Sequence, residues 1–273
     1  MKNRFLDVRL VVKEMSRETI RNTIELSIPK AFVLSIMAGA FITFGALFSI
    51  LISAGVETTG IALLLQGFGF SVGFFMVILT GALLFTETNV VLPASLLNCK
   101  QSEMVARTGK FWIIAIIGNV IGAFITGYLI MLAHTYPPDV IEMLGHVIDK
   151  KMSYFEAGAS SDWWRALLSG VFGNWLVGMA AVFVIMGKTI VGKYIPIFLA
   201  VSLFVAGNFQ HSPANMGYFS LIMPLEMGPG WTNAILWNLI PAAIGNILGG
   251  IFLVAMPFWY ALNASEEDVI IED

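Results

Sequence analysis

Apolar runs of about 20 residues recur six times along this chain, and polar residues break two of them in mid-run. The runs lie at about Ala31–Ser53, Ile61–Leu97, Phe111–Leu132, Ala166–Met186, Ile195–Met223 and Ala234–Leu262. A hydrocarbon core about 30 Å thick calls for helices of this length. The sharpest interruption is Phe204-Val-Ala-Gly-Asn-Phe-Gln-His-Ser-Pro-Ala-Asn-Met-Gly-Tyr-Phe219. Gly207 and Asn208 suit a helix end, and Pro213 lacks a backbone donor, so the fifth run is expected to break in the membrane. Free N–H and C=O groups are costly in hydrocarbon, so such a break survives only when buried in protein or lining a cavity. An ionisable residue there marks a pathway by default, which singles out His211.

Only 12% of the residues are charged, against about 25% in soluble domains, and the mean hydropathy is +0.83. These values specify an all-α membrane protein. The small net charge of −3 gives no sign of a nucleic-acid partner. A single cysteine, Cys99, excludes an intrachain disulfide framework and a cysteine-based metal cluster. No metal or cofactor is expected. No nucleotide-binding motif is present, so transport, if that is the activity, is passive or proton-linked.

Residues 1–30 carry seven Lys/Arg and four acids among helically spaced Leu6, Leu10, Val11 and Ile20, which predicts an amphipathic surface helix rather than a cleavable leader. Residues 31–262 form the transmembrane domain, and 263–273 an acidic tail. Basic residues concentrate in residues 1–30 and in the 99–110 and 187–194 loops, whereas the 54–60 and 224–233 loops have none. The bias places both termini in the cytoplasm, in a cell membrane crossed several times. The polar stretch 134–164 reads as a loop carrying His134, His146, Lys150 and Lys151. Trp163, Trp164 and Trp231 read as interfacial anchors.

Short matches link the two halves. Ile117-Gly-Asn-Val-Ile-Gly-Ala-Phe124 resembles Ile244-Gly-Asn-Ile-Leu-Gly-Gly-Ile251; Phe85 aligns with Phe209, and Gly39-Ala-Phe41 with Gly170-Val-Phe172. The offsets are 127 (244 − 117), 124 (209 − 85) and 131 (170 − 39). They predict two three-helix repeats, inverted because each has an odd number of spans, with helices two and five broken as in aquaporins. Gly118/Gly122 and Gly245/Gly249 are small-xxx-small pairs that permit close helix contact. On the Phe85/Phe209 alignment Glu87 takes the repeat position of His211; it reads either as a helix-terminal carboxylate or as a group tuning the histidine. Asn89 and Asn215 are expected to cap the half-helices.

The elements Phe209-Gln-His-Ser-Pro-Ala-Asn-Met216, Leu84-Phe-Thr-Glu-Thr88 and Gly173-Asn174-Trp-Leu-Val177 resemble those of the formate/nitrite transporter family, whose members are pentamers with one pore per subunit. The resemblance covers about residues 10–262. It implies that His211 is the central pore histidine, Thr86 its partner from the opposite loop, and Asn174 and Asn215 polar neighbours. It puts Phe70 and Phe204 at an outer constriction and Phe74 and Leu84 at an inner one. It also implies a small monovalent weak-acid anion as substrate, with formate first and nitrite or hydrosulfide next, in a homopentamer in the lipid bilayer. Where the family has a glutamate before the histidine, this chain has Gln210. The family's vestibule lysine falls on Gly158 by ungapped count, leaving Lys150 or Lys151 to substitute. Two rivals remain at this stage: an aquaporin-like channel for neutral solutes, and a membrane enzyme, for which one histidine and one glutamate make a poor constellation.

Overall fold

The computed structural model describes residues 6–20, 26–98 and 102–262; the acidic tail, Cys99 and Lys100 lie outside them. All regular structure among the described residues is helical. After a short turn, α1 is Val11–Ile20. Then come α2 (Ile28–Ser53), α3 (Thr59–Thr80), α4 (Phe85–Asn98) and α5 (Ser102–Ala133). The second half holds α6 (Pro138–Ala157), α7 (Ser160–Met186), α8 (Ile190–Ala206) and α9 (Ser212–Ile222). A continuous helical run, α10 (Trp231–Leu262), is the last described element, with π turns at Ile235–Leu239 and Gly250–Ala255. Five helices, α2, α3, α5, α7 and α10, are long and apolar enough to cross a membrane.

One expectation fails at 134–164. The stretch folds as helix α6, with His146 exposed on it rather than in a loop. Its apolar residues Val140, Leu144, Val147, Ile148 and Met152 follow helical spacing and are buried. Polar residues between them hid that period in the overall polarity of the segment. α1 forms too, and buries Val11 and Met15 against Val90, Val182 and Val254.

Helices α2 and α5 pack closely, as do α7 and α10, and glycine makes this possible. A Cβ on Gly122 would strike the Ile36 carbonyl, and one on Gly249 the Val171 carbonyl. The small-residue pairs therefore act within the chain.

Two helical runs stop and restart. α3 ends at Gly81, whose φ of 66° suits glycine, and α4 starts four residues later. α8 ends at Ala206, Asn208 turns the chain with a φ of 50°, and α9 starts at Ser212. At each gap one asparagine supplies the missing partners. Asn119 Oδ1 accepts from Phe85 N at 2.9 Å, while its Nδ2 donates to Leu83 O at 2.9 Å and Ser35 O at 2.8 Å. Asn246 Oδ1 accepts from Ser212 N at 2.9 Å, while its Nδ2 donates to Gln210 O at 3.1 Å and Gly170 O at 2.9 Å.

These bonds correct the repeat register. Asn119/Asn246, Phe85/Ser212 and Leu83/Gln210 are each 127 apart (246 − 119, 212 − 85, 210 − 83). Phe85 therefore matches Ser212 and not Phe209, and the counterpart of His211 is Leu84 and not Glu87. In the first helix of each half, Ser35 matches Gly170 (170 − 35 = 135), which displaces the Gly39/Gly170 pairing. Single shared residues misled the alignment because the side-chain amides, rather than the phenylalanines, set the register.

Replacing either asparagine with leucine strands at least two buried backbone groups, at about 1–3 kcal/mol each. Asn119→Leu and Asn246→Leu should each lower the thermal unfolding midpoint of the detergent-solubilised protein by several degrees, followed by tryptophan fluorescence.

Candidate functional site

His211 opens α9 as its N-cap. Its Nδ1 accepts from Ala214 N at 3.4 Å, and Asn215 N begins the helical ladder on His211 O. Pro213 sits in the first turn, where a missing N–H costs nothing. This corrects the expectation for Asn215, which lies inside the first turn of α9 and caps nothing; Asn89 likewise lies inside α4. With Nδ1 accepting, the neutral ring is assigned its proton on Nε2. Nε2 is buried and has no hydrogen-bond partner, and the same holds for Thr86 Oγ1, Asn174 Oδ1 and Asn215 Oδ1. Buried polar groups normally find partners, so these unpaired ones, at both helical interruptions and on Asn174 between them in the hydrogen-bond chain, are exceptions.

Thr86 and His211 are linked through the protein. Asn174 Nδ2 donates to Thr86 O at 3.2 Å and to Asn246 O at 2.7 Å, and Asn246 Oδ1 in turn holds Ser212. Gln210 and Asn215 belong to a second group. Asn215 Nδ2 donates to Gln210 Oε1 at 2.8 Å and to Asn238 Oδ1 at 2.6 Å, and Asn238 Nδ2 donates to Gln210 Oε1 at 3.0 Å and to Lys151 O at 2.8 Å. Asn238 sits on the first π turn of α10, a distortion often found at functional positions.

The aromatic residues lie around this centre. Phe204 meets the His211 ring edge-on at 5.3 Å between centroids, and Phe70 meets Phe204 at 6.1 Å. Phe70, Phe74, Leu84 and Phe204 are all buried and share one apolar cluster. On the α6 side a cavity of about 230 Å³ is lined by Phe204, Lys150, Lys151, Asn208, Gln66 and Tyr218. On the α1 side a larger one, about 570 Å³, is bordered by Gly81–Leu83, Glu87, Arg17, Lys188 and Lys193. Glu87 thus faces the second cavity, alongside basic residues.

Of the two lysines the sequence offered for the vestibule, Lys151 is the one that is buried, and its burial is what sequence reasoning did not anticipate. Buried on α6, it donates from Nζ to Phe209 O at 2.7 Å and lies 5.5 Å over the Phe204 ring. Burial lowers its pKa to about 7. The signal was present: Lys151 falls on the apolar face of α6, between Ile148 and Met152. Asn238 and Asn246 were missed as site residues, although a polar residue inside an apolar run is itself informative.

Fold and site together define a multi-pass helical membrane protein with buried, unpaired polar groups beside buried aromatic rings. The family profile described as Formate/nitrite transporter matches residues 11–260, and the chain belongs to this family of membrane channels and transporters. It is 32% identical over 244 residues to a probable formate transporter of Methanothermobacter thermautotrophicus, covering 85% of this chain and 88% of that protein. Among solved structures, an FNT family ion channel aligns with TM-score 0.75 at 22% identity, covering 92% of this chain and 98% of that one. A pentameric formate channel with formate bound aligns with TM-score 0.69 at 24% identity, over 85% and 96% of the respective chains.

The Lys151 shift gives a pH test. Its folded pKa lies below the ordinary 10.5, so between about pH 7 and 10 the unfolded chain holds a proton that the folded one lacks. Stability should therefore rise with pH across that window, by at most about 1.4 kcal/mol per unit, and be flat below it. In Lys151→Met the slope should disappear; thermal midpoints at pH 7 and pH 9 measure it.

Proposed function

We propose that this chain forms a pathway for small monovalent weak-acid anions, with formate the first candidate, running past His211. The observation that carries the reading is the buried Nε2 of His211, without a hydrogen-bond partner, beside Phe204, whose ring also carries the Lys151 ammonium at 5.5 Å. In this reading the protein crosses the membrane six times as two inverted repeats, with α3/α4 and α8/α9 each making one interrupted crossing. The recurrence of the same amide bonds 127 residues apart supports it. Both termini lie in the cytoplasm, consistent with the placement of basic residues, and α6 lies on the outer side. The subunits assemble as a pentamer, an arrangement named for one structural neighbour.

The chemistry follows from the residues. Lys150 and Lys151 raise the local anion concentration in the outer cavity. Between Phe70 and Phe204 the anion loses water, and the Nε2–H donor offsets part of that cost. Thr86, Asn174 and Asn215 offer further hydrogen bonds at the same depth. Gln210 holds Asn215 and carries no charge. The anion of a weak acid is a good acceptor, so it takes a strong hydrogen bond from Nε2–H and reaches the second apolar constriction, Phe74 and Leu84, partly neutralised, while the proton stays on the histidine. On the inner side Glu87, Lys188 and Lys193 border the exit. A strong-acid anion is a poorer acceptor for that hydrogen bond and is held back.

The test is uptake of formate, nitrite and hydrosulfide into proteoliposomes between pH 5 and 8, with His211→Asn alongside. A hydrogen bond to a charged group is worth about 1.5–3 kcal/mol, so His211→Asn should slow formate by about tenfold or more and change its pH profile. Faster nitrite or hydrosulfide uptake would reassign the substrate within the family. Equal flux in wild type and His211→Asn would remove the histidine from the mechanism. Permeation of glycerol or water without any anion flux would favour a neutral-solute channel.

A further inference from the structure

Tyr218 takes no part in the chemistry above, yet it lines the outer cavity and is almost fully buried. Its hydroxyl meets Ser49 Oγ on α2 at 2.9 Å. Ser49 uses its single proton on Ala46 O, at 2.7 Å, so the tyrosine is the donor in the pair. The phenol is therefore already committed and is not available to donate to a passing anion. Its ring stacks on Phe70, with centroids 5.8 Å apart and planes 24° apart.

The same place on α2 fixes the backbone of Phe70. A Cβ on Gly69, the preceding residue, would lie 2.7 Å from Ser49 Cα, so α3 presses directly on α2 there. One point on α2 thus holds both the backbone beneath Phe70 and, through the hydroxyl pair, the ring stacked on its face. From Ser49 the contacts continue through Tyr218, Phe70 and Phe204 to His211. A phenylalanine in an apolar cluster without such a brace reorients easily, because ring–ring contacts are weak and tolerate many geometries.

We propose that the Ser49–Tyr218 hydrogen bond is a positioning device that fixes the Phe70 ring and so sets the width of the outer constriction, making Tyr218 and Ser49 determinants of solute size selection. The inference rests on Phe70 and Phe204 forming that constriction in the pathway proposed above.

The test is the ratio of acetate or propionate permeability to formate permeability in proteoliposomes. Tyr218→Phe keeps the ring and removes the bond; Ser49→Ala removes it from the other helix. Each should raise the ratio by about threefold, the scale of one lost hydrogen bond, and the double variant should go no further than either single one. A merely structural role would scale all fluxes together and leave the ratio unchanged. An unchanged ratio in either correctly assembled variant, or additive effects in the double variant, would overturn the proposal. Should Tyr218→Phe fail to assemble, Ser49→Ala alone decides through the same ratio. If the wild type passes glycerol and urea but no anion, the weak-acid reading fails. The aperture is then read from the glycerol-to-urea ratio in the same variants.

Discussion

The fold depends on how two stretches of irregular backbone survive among apolar helices. Each needs a donor and an acceptor for groups two residues apart, and one asparagine carboxamide supplies both: Asn119 for Leu83 O and Phe85 N, Asn246 for Gln210 O and Ser212 N. The clamp brackets a single residue each time. In the first half it is Leu84, in the second His211. The same scaffold therefore presents an apolar side chain from one side and an imidazole from the other. The glycines next to each asparagine bring its helix close enough for this: Gly118 and Gly122 press on α2, and Gly245 and Gly249 on α7.

The second interruption has a further layer of order. Gln210, Asn215 and Asn238 satisfy one another with neutral amides, and Asn238 also holds the Lys151 carbonyl, so α6, α9 and α10 meet at Gln210. The π turn that places Asn238 leaves backbone groups to be matched elsewhere, and Trp163 donates to the Leu236 carbonyl within it at 3.1 Å. A tryptophan expected to serve as an interfacial anchor thus also repairs the distorted helix.

Much of this was legible in the sequence. Apolar length gave the helices, and Gly207–Asn208 and Pro213 announced where the fifth run stops, because these residues act locally. His211 stood out for its polarity in an apolar setting. The pairings were harder to read. The repeat register was set by side-chain bonds between residues 34 apart in each half (119 − 85, 246 − 212), which no short match reveals. Helix α6 was missed because its buried face is narrow and its exposed face strongly polar. That left Lys150 and Lys151 undistinguished, because only the helical period puts Lys151 on the buried face.

Gln210 changes the electrostatics of this arrangement. A carboxylate at that position would lie within the same amide network and counter the nearby ammonium. With an amide there, the Lys151 ammonium hydrogen-bonds to a carbonyl, Phe209 O, and burial alone accounts for its lowered pKa. A buried cation without a paired carboxylate is expensive, which holds this lysine near the point where it titrates at neutral pH. In the pathway proposed above, an anion arriving in the adjacent cavity supplies the missing counter-charge. Its approach favours the protonated lysine, so at neutral pH part of the binding free energy goes into taking up a proton. In that proposed pathway, affinity for an anion in that cavity increases as the solution is acidified through pH 7.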